Sequence, residues 1–542
     1  MDYLSNNYIF LVIKFTVFYL FLFFLGRAFL LLFKKDKQID NHKLLNLDIQ
    51  FIYQIIGLII LGNYLVILNF FLPLKTIFSF FIFLLIFLNY KFPPTIDIFK
   101  KLASSGPIYM ILLISSYNIF YHYDAGLYHL NNQFLIRENN IILGISNIYG
   151  PYGVGSIYEY ISSIFWFDNT FVLLHFLNIV FAGFFFDFIF RLIFKSEIKV
   201  LKNIGLSLLL YSVLDNFGYL GGRNGLIYIQ GIGKQDVAIS VLFLLTVIMI
   251  IYNIKNKNHD SLDMLIVSLL TLFIYQLKVS GVIIFLFYIY YIVYLFRNKI
   301  LKDININSTL IPIILAFIWI LKSILTTGCL IFPLAISCFD KLSWVDKDYI
   351  RVIEEISVGY SISYNFGDSI ANWFNSYISV DLNRSIILNF IISYLLISFI
   401  FFSKERLKKE KNFDSLIKFL IILTLLFYLN FGPDPRYLMT LQILLIALIG
   451  LWKVPRFTFS KPILYTLFIF AVISFVRIDS YKQFNFLSHP NYEIPKPELI
   501  KIDERYIPEE GDQCWANIKC SANNEKYNET KNKYFKIVKL EN

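Results

Sequence analysis

The sequence predicts an all-α integral membrane protein, a polytopic bundle of about fourteen transmembrane helices, and three observations predict it. The first is the length of the apolar runs. Stretches such as 9–33, 51–72 and 171–194 are continuous and apolar, close to the roughly 20 residues that a bilayer's hydrocarbon core requires. They do not alternate as the strands of a membrane barrel would. The second is composition: 57% hydrophobic and only 16% charged, with a mean hydropathy of +0.62. The third is where the charges fall. The net charge of +11 resides in Lys and Arg placed just beyond the ends of apolar runs, in alternate loops. That is the positive-inside pattern, which reports orientation and argues against nucleic acid as a partner.

Taken in order, the elements alternate consistently between two sides. Lys34, Lys35, Lys37 and Lys43 after the first run mark an inner loop. Spans 51–72 and 75–90 go out and return to Lys91, Lys100 and Lys101, and span 107–120 emerges outside. Span 171–194 returns to Lys195, Lys199 and Lys202; span 203–214 leaves, and 236–253 comes back to Lys255 and Lys257. Spans 262–276 and 279–296 form a hairpin that ends at Arg297, Lys299 and Lys302. Spans 309–326 and 385–402 enclose a long outer loop and lead to the most basic loop, Lys404 to Lys411. Spans 416–429, 437–452 and 462–476 complete the set. The domain reading is a transmembrane domain, 1–476, with outer loops 121–168, 215–235, 327–384 and 430–436, followed by an outer tail, 477–542. The first run carries Lys14 and is too long for the core of a cleavable signal peptide. No internal repeat is evident, so inverted-repeat transporter architecture has no support in the sequence.

The chain's four cysteines, Cys329, Cys338, Cys514 and Cys520, all fall on the expected outer side. An oxidising compartment makes two local disulfides, Cys329–Cys338 and Cys514–Cys520, the natural reading. The alternative is four free or metal-binding thiols, although no His lies close to either pair in sequence.

Polar residues with chemical potential concentrate in the outer loops. The segment 121–130 reads Tyr-His-Tyr-Asp-Ala-Gly-Leu-Tyr-His-Leu. It places Asp124 at the expected membrane surface, between His122 and His129 and beside Tyr123 and Tyr128. A carboxylate there can act as a general base or hold a divalent cation such as Mg or Mn. Equally, it can simply cap the following helix. Residues 127–138 have helical apolar spacing, with Asn131, Asn132 and Arg137 opposite, the pattern of an amphipathic helix lying on a membrane. Lys234, in a glycine-containing turn before Asp236, can hold a phosphate, or be a solvated turn residue. The spacing is not that of a P-loop. In 432–437, two prolines fix a turn that holds Asp434 and Arg436 at the surface. Arg suits planar recognition of phosphate or carboxylate, and a local Asp–Arg pair is the alternative. Asn63, His175, Asn178, Asp187 and Lys278 are polar residues within or beside apolar runs, where polarity is expensive and warrants suspicion of function. Asp187 and Arg191, one turn apart, read as a structural pair.

The segments Tyr123 to His129 and Asn147 to Gly153 resemble those of a family of bacterial polytopic membrane proteins. So do Thr327 to Pro333, Pro433 to Tyr437 and Cys514-Trp515. That family carries a Tyr-Asp-x-Gly-Leu-Tyr-His element and has an architecture similar to that of GT-C glycosyltransferases. The resemblance implies a multi-pass enzyme of the bacterial inner membrane, acting on the extracytoplasmic side. Its donor would be a polyprenyl-phosphate-linked sugar, and its acceptor a glycan, a lipid or a protein. Asp124 matches the position of the acidic residue in the first long outer loop of such enzymes, and Arg436 that of a basic residue contacting lipid phosphate, with Lys234 as a further candidate. Three spans precede the one leading to the acidic loop, and that loop holds a single Asp at this position, both departures from the usual pattern. A transporter or flippase for lipid-linked sugars is the main alternative. A polysaccharide polymerase or ligase using Arg351 and Arg384 is another.

Overall fold

The first two long helices, Tyr8–Leu31 and Tyr53–Asn69, touch backbone to backbone. A Cβ on Gly26 would lie 1.9 Å from the Tyr53 carbonyl oxygen, and one on Gly57 would lie 2.0 Å from the Leu22 carbonyl oxygen. Among apolar helices, small residues allow this close approach, and van der Waals contact replaces the missing hydrophobic drive. The chain is described here from a computed structural model. It covers residues 7–540 except 34–36, 76–85, 95, 167–170, 218–228, 230, 257–259, 360–368, 403–410, 432–434, 489, 491–493, 503–504, 517–519, 521–526 and 532–533.

Most of the described chain is helical. By length and composition, 8 helices among the described residues are long and apolar enough to cross a membrane: Tyr8–Leu31, Ile49–Asn69, Ile96–Asn118, Val172–Phe194, Asp236–Asn256, Val279–Arg297, Asn307–Thr327 and Asp381–Ile400. Four more expected spans lie in further apolar helices: Ser261–Leu277 and Lys461–Phe475, of 17 and 15 residues, and Lys411–Phe431 and Pro435–Trp452, of 21 and 18 residues. The expected span at 203–214 lies in the helix Lys199–Phe217, which is in neither set. Most of 75–90 is outside the described residues. Eight of the roughly fourteen expected crossings are thus full-length apolar helices among the described residues. Val172–Phe194 and Asp236–Asn256 form the centre, each 94% buried, while Asn307–Thr327 and Asp381–Ile400, 22% and 28% buried, lie at the rim.

The connections sort to two ends. At one end, His122 N–H donates to the Ile232 carbonyl and Trp515 N–H to that of Gly126. At the same end, Phe332 packs against Gly153 and Ile353 against Gly150. The four cysteines lie here, bonded as Cys329–Cys338 and Cys514–Cys520. At the opposite end, Arg27 reaches Asn89, His42 reaches Asp263 and Asn203 reaches the Lys453 carbonyl.

The tail contains two antiparallel hairpins, Leu499–Ile502 with Arg505–Pro508 and Tyr527–Lys531 with Lys536–Leu540. The second is stitched to the first long loop: Val538 N–H donates to the Leu143 carbonyl and Leu143 N–H to that of Lys536, each at 2.9 Å, and Asn147 Nδ2 donates to the Val538 carbonyl, also at 2.9 Å.

One expectation about that loop changes. The helix Leu130–Glu138 leaves Arg137 half-buried but does not present Asn131 or Asn132 to solvent, since both are buried, as is Gln133. They find partners inside instead: Tyr152 for Asn131, Glu159 for Asn132 and Trp166 for Gln133. A surface helix has no such enclosed partners, so this one is part of the core beneath the loop. The short apolar segment after it forms the buried helix Ile157–Ser163, started by a capping box between Ser156 and Glu159.

Candidate functional site

The segment that carries Asp124 is held from two sides. Its backbone pairs with 231–233, where Gly233 has φ +89° and packs so close to Ala125 that a Cβ would fall 2.9 Å from the Ala125 Cβ. A left-handed residue at a close approach calls for glycine. On the other side the tail closes over it. Trp515 covers Gly126, Gln513 Nε2 donates to the Tyr123 carbonyl at 3.1 Å, and the Tyr123 hydroxyl donates to Asp512.

Between these supports, Asp124 does not cap the helical turn that follows it, since its side chain makes no cap hydrogen bond. One carboxylate oxygen lies 3.3 Å from His122 Nδ1 and 3.7 Å from Lys234 Nζ. The Asp124 and His122 side chains are 23% and 26% exposed, so solvent reaches them. Beside them, Lys278 Nζ pairs with Asp236 at 2.9 Å and lies 4.0 Å from the centre of the Tyr437 ring. Asp236 opens the helix Asp236–Asn256, where an acid suits the positive end of the helix dipole. Its second oxygen, Oδ2, is buried and has no hydrogen-bond partner among the described residues. Burial acts to discharge Lys278. Asp236, Tyr437 and, from further away, Asp124 outweigh it and hold its pKa above the ordinary lysine value. Two carboxylates and two ammonium groups thus form one cluster with His122.

Of the residues singled out in the sequence, Asp124, His122 and Lys234 come together, with Tyr123 tied to the tail. His129 turns away. Its Nδ1 meets the buried Glu159 carboxylate at 2.6 Å, and its ring lies 4.1 Å from that of Tyr128. Asp434 lies outside the described residues, and so does the Arg436 side chain. The backbone of Arg436 is in the first turn of the helix Pro435–Trp452, directly before the Tyr437 that touches Lys278. Asp187 and Arg191 form a 2.7 Å pair that also engages Ser105.

Glu159 and Lys322 had gone unremarked. Their signals were a Ser-x-x-Glu capping box and a lone Lys within an apolar run. Asp236, read only as part of the Lys234 turn, proves to be the partner of Lys278. The donor set does not suit a divalent cation. No three His, Cys, Asp or Glu side chains gather among the described residues, and the charges facing Asp124 and Asp236 are ammonium groups.

No curated protein and no solved structure matches the chain. A family model described as Domain of unknown function (DUF8201) matches residues 8–443, from the first helix into the helix that carries Tyr437, and the chain belongs to that family.

Proposed function

We propose that this helical membrane protein is a GT-C-like glycosyltransferase, using a polyprenyl-phosphate-linked sugar at the outer face of the membrane for cell-surface glycan assembly. The observation that carries the reading is the setting of Asp124: an uncapped, partly solvated carboxylate beside an imidazole and an ammonium group. In this reading Asp124 takes the proton from an acceptor hydroxyl on a glycan, lipid or protein. The oxygen attacks the anomeric carbon, the bond from that carbon to the phosphate oxygen breaks, and the lipid phosphate leaves with the electron pair. Lys234 and Arg436 stabilise the departing phosphate, a task suited to cationic groups in a partly dehydrated site. His122 Nδ1 accepts the Asp124 backbone N–H at 3.2 Å and so fixes the main chain that carries the carboxylate. Tyr123 and Tyr128 line the approach, and no step is assigned to a metal.

The experiment is Asp124→Asn. Asn has nearly the same size and caps helices about as well as Asp, so folding and insertion should survive. Transfer of labelled sugar from a polyprenyl-phosphate donor in isolated membranes should fall by at least about 10²-fold. Near-normal transfer would remove Asp124 and the enzyme reading together. Reporter fusions at the tail and within 404–411 test the sidedness, and a cytoplasmic tail would contradict it.

A transporter or flippase is the second reading. It draws support from buried charge at both ends of the bundle, with Arg27–Asp40 and Asp187–Arg191 opposite the Asp124 cluster. Movement of a fluorescent lipid-linked sugar across proteoliposomes, without transfer to an acceptor, would favour it.

A further inference from the structure

Lys322 is a buried cation that the proposed reaction does not use. It lies near the end of the helix Asn307–Thr327 and is 4% exposed. Its Nζ donates to the Gly155 carbonyl at 3.3 Å and sits 4.6 Å from the centre of the Trp319 ring. No carboxylate among the described residues is within ion-pair distance of it. Glu159 attracts it from further off, but that carboxylate is already engaged by His129 and Asn132. Gly155 is shaped to this ammonium group, since a Cβ there would lie 2.6 Å from Nζ.

Two cavities of about 20 Å³ each border Lys322. One is lined by Lys278 as well as Lys322, with Gly155, Gln276, Ser323 and Phe332, and by no carboxylate. A cavity of this size holds roughly one water-sized body. A buried ammonium without a counter-charge is strongly unfavourable, so it either gives up its proton or acquires an anion. Lys278, on the same cavity, is already balanced by Asp236, so the charge left to offset is that of Lys322, and an anion beside it does so. A monatomic anion suits a space of this size better than a tetrahedral oxyanion.

We propose that the cavity between Lys278 and Lys322 binds a halide, chloride under physiological conditions. The ion is held by the Lys322 ammonium group, with the Asp236-paired Lys278 on the far wall of the same cavity. It ties the helix Asn307–Thr327 to the Gly153–Gly155 turn and to the Lys278 end of the charge cluster. The site is separate from Asp124 and does not rest on the glycosyltransferase reading.

The test is thermal unfolding of the full-length protein in detergent, at constant ionic strength, with sodium gluconate exchanged for sodium chloride, bromide or phosphate. Binding to the folded state alone raises Tm with the logarithm of ligand concentration once the site is saturated. Chloride and bromide should both do so, and gluconate and phosphate should not. Lys322→Met should abolish the halide dependence. Gly155→Ala, which places a Cβ where the ammonium group rests, should move the chloride midpoint at least tenfold higher. Equal Tm in chloride and gluconate would overturn the proposal whether or not either variant folds. Halide dependence retained in Lys322→Met, or a larger effect of phosphate than of chloride, would overturn it too.

Discussion

The two ends of the bundle treat charge in opposite ways. At the end away from Asp124, Arg27 is fully buried and fully engaged. It bonds the Asp40 carboxylate at 2.6 Å, Asn89 at 2.7 Å and the Phe92 carbonyl at 2.7 Å, and the Tyr53 hydroxyl donates to Asp40 at 2.9 Å. Near it His42 meets Asp263 at 2.8 Å. At the other end, Asp124 and His122 are partly wet, Lys234 stands off at 3.7 Å and Asp236 Oδ2 has no hydrogen-bond partner among the described residues. A closed, satisfied network fixes helices in place. An open, loosely paired one leaves room for something else to bind.

The largest effect that separates the ends is on stability. Arg27→Met leaves Asp40 buried without its counter-charge, and breaking a buried pair from one side is typically destabilising by about 3–5 kcal/mol. We expect this variant to be depleted from the membrane or to unfold at much lower temperature in detergent, whereas Asp124→Asn stays near wild type. Equal destabilisation of the two would erase the contrast and return Asp124 to a structural role.

The next effect concerns the tail over the site. Cys514 and Cys520 brace the turn that presents Trp515 to Gly126. Replacing both by Ser should weaken that region by about 2 kcal/mol, the low end for disulfides because the closed loop is short. Limited proteolysis should then cut 484–542 faster while the helical bundle stays intact. An unchanged cleavage pattern would mean that the hairpin at 536–540 alone holds the tail. A smaller step of the same kind is Tyr123→Phe, which removes the hydrogen bond to Asp512 and should cost about 1 kcal/mol. It should appear as faster amide exchange at 512–515, and no change there would remove Tyr123 from the clasp.

Much of this architecture was legible because the bilayer is so restrictive a solvent. Run length and alternating basic loops located the helices, and they grouped the cysteine-bearing loops with Asp124 at one end. Span count was less legible. Apolar runs such as 262–276 and 462–476 look like crossings by composition, but their helices, Ser261–Leu277 and Lys461–Phe475, have 17 and 15 residues, short of the roughly 20 that a bilayer core requires. The site was half visible. Asp124, His122 and Lys234 were singled out, yet Lys278–Asp236 joins residues 42 apart, a pairing that no periodicity encodes. The partner of His129 was not legible for the same reason, since Glu159 reaches it through the fold and not along the chain. The buried polar face of Leu130–Glu138 shows the limit most clearly: amphipathic spacing locates two faces but does not say that the polar one meets water.

The smallest effect falls on the exposed arginines, and it sharpens the choice between transferase and polymerase. Arg351 pairs with Asp348 and Arg384 with Asp381, each three residues apart on a helix. Arg351 is 59% and Arg384 44% exposed. Pairs of this kind contribute little, because water and salt screen them and two long side chains must be ordered to form them. Arg351→Gln and Arg384→Gln should each change stability by no more than about 0.5 kcal/mol. If sugar transfer centres on Asp124, neither should alter the transfer rate or the length of the glycan formed. A polymerase or ligase that handles its substrate through arginines in long outer loops makes the opposite prediction: normal stability, with glycan length or ligation reduced in one or both variants. Gel profiles of surface glycan from cells carrying each variant decide between them, and a shortened ladder would move the active centre from Asp124 to the 327–384 loop.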